Sequence, residues 1–162
     1  VPQDGFHYDN AILDRRDRLA AKGAPDTFDT EGFRALLTRL KAEATVAIPL
    51  FDRTLDVARN AARLIDSSHR LLLVEGNYLL LQNHPQWRQL KPLFDLTVFL
   101  ETPVQELRRR LQLRWTDLGF NPEKAREKVE GNDLVNAETV IRYSARSDYV
   151  LRFKEIDVAS HS

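Results

Sequence analysis

The stretch Leu71-Leu72-Leu73-Val74-Glu75-Gly76-Asn77-Tyr78 decides the fold class. Four consecutive aliphatic residues lead directly into an acid and then a glycine. An apolar run of this length, bounded by turn residues, is typical of a strand buried on both faces of a parallel sheet. Open α/β sheets bind their ligands at the carboxyl ends of such strands, and a glycine there lets the backbone turn away sharply. Glu75 is therefore a candidate site residue, although a buried strand whose terminal acid simply meets solvent would explain the same residues.

Composition bounds the class of protein. The chain has 162 residues, enough for one domain, and its 24 basic residues balance its 24 acidic ones. This neutrality gives no electrostatic reason to expect nucleic acid or anionic membrane as a partner. The absence of cysteine excludes disulfides, thiolate metal sites and cysteine nucleophiles. With no apolar run near the length of a membrane span, we expect a soluble, cytoplasmic protein.

Predicted strands alternate with predicted helices along the chain. Residues 96–100 form a second apolar run, expected as a buried strand, and residues 149–153 read as a last strand. Thr102 is predicted to cap a long helix with Glu106 at its capping-box position. The alternation predicts an α/β fold, with a mostly parallel sheet flanked by helices. We expect a single domain over residues 1–153 and a polar tail over residues 154–162.

Three loops carry residue types that suit a small-molecule site. In the first, Asp4 could accept a proton from a substrate hydroxyl and His7 could hydrogen-bond the same substrate. A turn aspartate and a packing histidine are the plainer interpretations. The second, residues 22–29, could line a polyol pocket or simply lead into a helix capped by Asp29. The third, residues 49–53, allows the same two interpretations around Phe51 and Arg53.

Two further segments could bind phosphate. Arg110 and Arg114 are four residues apart, so they share one face of the long helix, and paired guanidinium groups suit a phosphate. A solvated charged helix is the alternative. Residues 131–133, followed by Asn136, read either as a turn and helix cap or as amides that face a ligand. The glycine at 131 is predicted to break the helix there.

The order of these motifs is more specific than any one of them. It resembles the uridine kinase, phosphoribulokinase and bacterial pantothenate kinase group of P-loop kinases, and within it the bacterial proteins named fructose-transport-system or nucleoside/nucleotide kinases. The resemblance runs from Val1 to about Ser147. The motifs that carry it are Asp4-Gly5-Phe6-His7, Lys22-Gly23-Ala24-Pro25-Asp26-Thr27-Phe28-Asp29, Pro49-Leu50-Phe51-Asp52-Arg53, Val74-Glu75-Gly76-Asn77-Tyr78, the arginine-bearing helix, and Glu130-Gly131-Asn132-Asp133-Leu134 with Asn136-Ala137.

The resemblance implies a function and a role for each candidate residue. It implies transfer of the γ-phosphoryl group of ATP, with Mg²⁺, to a hydroxyl of a sugar, nucleoside or pantothenate-like acceptor. Asp4 matches the base toward the acceptor hydroxyl. Glu75 matches the acid that acts near Mg²⁺ and the water molecules bound to it. A helical lid is expected over about residues 103–131. The residues assigned to the acceptor are Phe6, His7, Phe28, Asp29, Phe51 and Arg53, and those assigned to the nucleotide phosphates are Arg110, Arg114, Asn132 and Asn136.

The sequence departs from this group in one respect. The phosphate loop G-x-x-x-x-G-K-[ST] is absent, because all six glycines are isolated. We interpret the chain, which opens on a motif at Val1 and contains no methionine, as lacking the first strand, phosphate loop and helix. We therefore expect this chain alone to bind ATP poorly and not to turn over. A non-catalytic remnant or binding module is the alternative function, and a homodimer is the oligomer that the resemblance suggests.

Overall fold

The computed structural model describes residues 1–152, and its helices and strands fall into two compact units. The first unit comprises Val1–Asp95 and Val135–Ala145, and the second comprises Leu96–Leu134 and residues 146–152. The polar tail predicted over residues 154–162 lies outside the described residues. The regular elements are α1 (Asn10–Arg15), α2 (Thr30–Ala42), β1 (Thr45–Asp52), β2 (Val57–Asp66), β3 (Val98–Glu101), α3 (Val104–Asp117), α4 (Pro122–Lys128), α5 (Leu134–Tyr143) and β4 (Tyr149–Arg152).

The core of the first unit forms around α2, where apolar residues at positions 33, 36, 37 and 40 predict an amphipathic helix. Asp29 caps this helix by accepting a hydrogen bond from the Gly32 amide at 2.9 Å. Two aromatic residues in the core also satisfy their polar atoms, since the Tyr78 hydroxyl donates to Gly23 O and the Trp87 indole to Pro25 O. The buried cluster consists of Phe6, Phe28, Phe33, Leu36, Leu37, Val46, Ile48, Tyr78, Leu81, Trp87 and Leu90.

Strands β1 and β2 form an antiparallel hairpin. Thr45 pairs with Asp66 and Asp52 with Val57, and the register shifts between Ile48 and Leu50. The shift falls at Pro49, which has no amide hydrogen to give to a ladder. The apolar run over residues 46–51 predicts a strand, which β1 confirms. The sequence predicts only a short strand over residues 63–65, whereas β2 covers ten residues.

The stretch that leads to Glu75 pairs in parallel with the start of the chain. The Glu75 amide donates to Val1 O at 3.1 Å, and the Gln3 amide donates to Glu75 O at 2.9 Å. The expectation of a strand buried on both faces is wrong. Residues 71–74 form no regular strand, the pairing is a single bridge between Pro2 and Glu75, and Leu71 and Leu73 are 80% and 77% exposed. An aliphatic run shows which side chains would gain from burial, but it does not show which elements cover them.

The second unit contains a parallel pair of strands, β3 and β4, and the helices α3 and α4. Thr97 and Asp148 join the starts of the two strands, since the Thr97 amide and hydroxyl both donate to Asp148 Oδ2 at 2.8 and 2.6 Å. Burial of β3 is wrong in the same way as before, because Leu100 is exposed. The parallel pairing, together with the helices along the chain, confirms the α/β class.

Two boundaries in the second unit differ from the predicted ones. Pro103, rather than Thr102, is the residue before the first turn of α3, and no side chain caps that turn. The Glu106 carboxylate instead binds arginines of the following turn. The chain does not break at Gly131 but continues as a π-helix over Val129–Asp133 into α5. Single π-helical turns occur within α-helices, and here α4 and α5 continue the helical chain on either side of the π-helix.

Candidate active site

Asp4 and Glu75 follow the two paired parallel segments of the first unit. Residues 1–3 and 73–75 run side by side, so these two carboxylates emerge at the same end of the pair. Gly76 fits this end closely, because a Cβ there would overlap the side chain of Gln3. Both acids therefore lie at the carboxyl end of these segments, the end at which α/β folds bind ligands.

The Asp4 carboxylate is partly exposed and has a cationic partner. Arg53 Nη2 donates to Asp4 Oδ2 at 3.0 Å; the side chain of Asp4 is 33% exposed and that of Arg53 is 66% exposed. An ion pair this open to solvent contributes roughly 0–1 kcal/mol, so it can be exchanged for other partners at small cost. Asp4 is accessible to a hydroxyl once Arg53 moves aside.

His7 presents a defined hydrogen-bonding group beside Asp4. Its Nδ1 lies 2.9 Å from the Asp4 carbonyl oxygen, which can only accept, so Nδ1 carries the proton. Burial lowers the pKa of His7 from its ordinary value of 6.5, although the Asp4 carbonyl and carboxylate oppose this. At neutral pH the ring is therefore uncharged, and Nε2 is an acceptor for a hydroxyl or amide.

The His7 ring is part of an aromatic wall. It lies 4.0 Å from the Phe28 ring and 4.9 Å from the Phe51 ring, measured between centroids. Backbone bonds from Tyr8 to Thr27 and from Asp29 to Phe6 hold the two loops together at this point. Phe28 is buried against the core, whereas Phe51 is half-buried. The wall offers an apolar surface suited to the face of a ring or the carbon edge of a polyol.

Phe6 and Asp29 contribute to the structure of this region. Phe6 is buried and packs on Phe33 at 4.7 Å between ring centroids. Asp29 caps α2, which is the plainer of the two interpretations open from the sequence. Both hold the loops that carry the exposed candidates.

Lys22 belongs to the site region and was not assigned from the sequence. Its Nζ donates to Asn10 Oδ1 at 2.7 Å and to Asp56 O at 2.8 Å, and it lies 2.9 Å from Asp56 Oδ2. It also lies 5.0 Å from the centroid of the Phe51 ring. The sequence signals were its place in the polar loop over residues 22–29 and in a motif of the family resemblance, but neither indicated its partner, which is 34 residues away.

The predicted phosphate-binding arginines lie on α3 of the second unit. Arg110 Nε donates to Glu106 Oε1 at 2.6 Å, and Arg109 binds the same carboxylate. Hydrogen bonds from Arg109 and Arg110 lower the pKa of Glu106 to about 2. Arg114 is exposed one turn further along the helix. Glu106 therefore competes with any anion for Arg110, and Arg114 faces solvent.

Asn132 and Asn136 lie on either side of the boundary between the units. Asn132 is half-buried in the π-helix of the second unit, and Asn136 is half-buried in α5 of the first. Next to Asn132, Asp133 accepts a hydrogen bond from the Trp115 indole at 2.6 Å. Burial raises the pKa of Asp133, and this hydrogen bond opposes the rise. The π-helix is thus fixed to α3 through Asp133.

The donor set near Glu75 suits a hard cation only in part. Across residues 1–152 no group of three or more histidine or acidic side chains is arranged to hold a metal ion. The exposed Glu75 carboxylate alone suits Mg²⁺, because that ion keeps several waters and takes further ligands from substrate phosphates. Separately, no helix within the described range is both long and apolar enough to cross a bilayer.

Comparison with known proteins shows the family. No family model matches the chain. The chain itself is 32% identical over 171 residues to "Putative uridine kinase C227.14" of Schizosaccharomyces pombe. This match covers 99% of the chain and 72% of the relative.

Two crystal structures show the fold. The first is a putative fructose transport system kinase from Silicibacter sp. TM1040, with a TM-score of 0.90 and 42% identity, over 93% of this chain and 73% of that one. The second is YFH7 of Saccharomyces cerevisiae, a putative P-loop containing kinase with a circular permutation. It has a TM-score of 0.78 and 22% identity, over 96% of this chain and 57% of that one. The fold is that of P-loop kinases, and the chain belongs to their uridine kinase group.

Proposed function

We propose that this chain is the acceptor-binding part of an ATP-dependent kinase that phosphorylates a hydroxyl of a sugar, nucleoside or pantothenate-like molecule. One observation carries the proposal: a partly exposed carboxylate, Asp4, lies at the end of a parallel segment beside the neutral His7. Membership of a kinase family supports the reaction type.

Asp4 acts as the base in this proposal. The acceptor hydroxyl gives its proton to the Asp4 carboxylate while its oxygen forms a bond to the γ-phosphorus, and the bond from that phosphorus to the ADP oxygen breaks. Arg53 leaves Asp4 when the acceptor arrives. The high exposure of the Arg53 side chain makes this exchange inexpensive.

His7, Phe28 and Phe51 position the acceptor. Nε2 of the neutral His7 accepts a hydrogen bond from a second hydroxyl, which orients the molecule relative to Asp4. Phe51 covers the apolar face of the molecule, supported by the buried Phe28 behind His7. We assign Phe6 and Asp29 to the support of this wall, and Arg53 to a polar group of the acceptor.

Glu75 serves the nucleotide side. It would hold Mg²⁺ through a bound water, next to the segment that ends in Asp4. Bound Mg²⁺ supplies charge neutralisation on the phosphoryl oxygens. We further propose that residues 1–153 act as one kinase domain in which about 103–131 form a lid. Its phosphate-binding residues are Arg110, Arg114, Asn132 and, from α5, Asn136.

The working form that we propose is a cytoplasmic homodimer, on the resemblance to the uridine kinase group. Light scattering on the purified protein measures the subunit number directly, and a monomer would contradict this part of the proposal. The subunit number affects no step of the proposed acceptor chemistry, because the residues proposed for that chemistry belong to one chain.

Asp4→Asn tests the proposed base. The variant and its control, Asp14→Asn on the exposed face of α1, are made in the protein as expressed from its native gene. Transfer of radiolabelled phosphoryl from ATP is measured against a panel of nucleosides, sugars and pantothenate. We expect Asp4→Asn to lose roughly 10²- to 10⁴-fold in kcat, as removal of a general base does. The control should keep full activity.

Two results would overturn the proposal in different ways. Unchanged kcat in Asp4→Asn would remove Asp4 from the role of base. Acceptor binding by calorimetry without transfer from any nucleotide would establish the binding module instead.

A further inference from the structure

The turn between β1 and β2, residues 53–56, is attached to the rest of the first unit at two points. Arg53 binds the Asp4 carboxylate, and Asp56 binds Lys22 and Asn10. Within the turn, Asp52 Oδ1 accepts hydrogen bonds from the amides of Thr54 and Leu55 at 3.1 Å each. These two hydrogen bonds shape the turn, and the two attachments hold it against the rest of the first unit.

The two attachments differ in exposure. The Arg53 side chain is 66% exposed, whereas that of Lys22 is only 15% exposed. A cation withdrawn from water needs its polar partners more than an exposed one does, because losing them leaves a desolvated charge. The Lys22 attachment is thus the durable one, and the Arg53 attachment is the one that exchanges.

Lys22 reaches two separate parts of the chain at once. Its ammonium donates to the Asn10 side chain at the start of α1 and to the Asp56 backbone carbonyl, and it pairs with the Asp56 carboxylate. Asn10 Nδ2 donates to Asp56 Oδ2 at 3.0 Å and closes the triangle. Asp56 has a φ of 55°, in the left-handed region, and these partners hold it there.

The same ammonium lies over the aromatic wall. Its distance of 5.0 Å from the Phe51 centroid is within the range of a cation–π contact. Phe51 in turn lies 4.9 Å from His7. Lys22 therefore connects the tip of the hairpin with the side chains that face the acceptor.

We propose that Lys22 is a positioning residue for the acceptor site. Through Asp56 it fixes the turn over residues 53–56, so that Phe51 and Arg53 keep their places when Arg53 exchanges Asp4 for the acceptor. This inference rests on the proposed function for its kinetic consequence. Its structural consequence, the ordering of the turn, stands independently of any activity.

The test compares Lys22→Met with Lys22→Arg and with Lys41→Met. Methionine keeps the length and apolar stem of Lys22 and removes its charge, and arginine restores the charge. Lys41 is the matched control because it makes an exposed ion pair with Asp95, in the same unit. Backbone ¹⁵N relaxation gives the order parameter of each amide in the turn, and steady-state kinetics give KM and kcat.

In Lys22→Met we expect the order parameters of Thr54, Leu55 and Asp56 to fall from rigid values near 0.85 to below about 0.6. Amides in α2 should not change, which shows that the fold is intact. Lys22→Arg should recover most of the order, and Lys41→Met should leave the turn as it is. Unchanged order in Lys22→Met would overturn the proposal.

The kinetic arm separates this inference from the proposed function. We expect the acceptor KM of Lys22→Met to rise about tenfold, since the side chains that orient the acceptor become mobile, while the ATP KM is unchanged. A disordered turn with an unchanged acceptor KM would refute the positioning role. If the turn is disordered in Lys22→Met but the parent protein phosphorylates no acceptor, the role of Lys22 in holding the turn stands and the proposed function is refuted.

Discussion

Gly5 lies against the backbone of β1, and replacing it with alanine would push the segment that carries Asp4 away from that strand. A Cβ at Gly5 would lie 2.7 Å from Pro49 O and 2.9 Å from Pro49 C. A relaxed carbon–oxygen contact needs at least about 3.3 Å, so the two backbones must separate by about 0.6 Å. Backbone atoms cannot rotate aside as the end of a side chain can.

The displacement has a cost in stability and in function. Forcing an extra methyl into a closed contact typically destabilises a protein by about 1–3 kcal/mol. Because a misplacement of about 1 Å can reduce a rate by about a hundredfold, we expect Gly5→Ala to lower kcat by roughly tenfold or more. Urea unfolding measures the first effect, and phosphoryl transfer measures the second.

Gly131→Ala is the matched control. Nothing lies within 4 Å of a Cβ placed at Gly131. The residue is in the π-helix of the second unit, where alanine is the better helix former by about 1 kcal/mol. We expect this variant to be as stable as the parent or slightly more so. If Gly5→Ala matched it in stability and activity, the close contact between Gly5 and Pro49 would be refuted as a determinant of the site.

Three further results follow from single residues. Asp29→Ala should lower the free energy of unfolding by about 1 kcal/mol, because α2 loses its cap. Asp29→Asn should keep most of that stability. Equal losses in urea titrations would mean that the charge of Asp29, rather than its hydrogen bond, stabilises the helix. An NMR titration of His7 should give a pKa below 6.5, because burial disfavours its charged form. The stability that the neutral His7 ring contributes is therefore fully present above about pH 6.5 and is lost as the pH falls. A titration midpoint of His7 above 6.5 would refute the buried neutral ring. Glu106 should titrate near pH 2 in carbon-detected NMR, and Glu106→Gln should strengthen nucleotide binding by releasing Arg110; an ordinary midpoint would mean that the arginine pair does not form in solution.

Local signals in the sequence predicted several elements correctly. The apolar spacing of Phe33, Leu36, Leu37 and Leu40 and the acid before it predict α2 together with its cap, because a helix turn and its cap are formed by neighbours in the chain. The strand at β1 and the helices α3, α4 and α5 followed from the same kind of pattern. Residues 85–93 are predicted to form a helix that packs Trp87 and Leu90; both residues are buried, but the segment forms two short 3₁₀ turns, Trp87–Gln89 and Lys91–Leu93.

Features set by distant residues could not be read in the same way. Strand β2 contains Arg59, Asn60 and Arg63, which do not alternate with apolar residues, and its register depends on β1. The length of β2 could therefore be determined only from its pairing with β1 in the structure. The π-helix at Gly131 likewise depends on the flanking helices, since glycine alone favours a break.

The candidate site shows the same division. Asp4, His7, Phe28 and Phe51 could be singled out by residue type and motif, and the structure brings these four into one region. The contact of Arg53 with Asp4 spans 49 positions of sequence, and no local pattern indicates it. Lys22 was missed for the same reason, because its partner lies in another loop.

The central claim is that the Asp4 region binds a small hydroxylated molecule and delivers its hydroxyl to ATP. The most direct measurement is to incubate the protein expressed from its native gene with ATP, Mg²⁺ and the acceptor panel, and to identify products by mass spectrometry. The account predicts one acceptor that gains a single phosphoryl group, with an equal amount of ADP, and no such product from Asp4→Asn. An acceptor phosphorylated equally well by Asp4→Asn, or ADP formed with no phosphorylated acceptor, would contradict it.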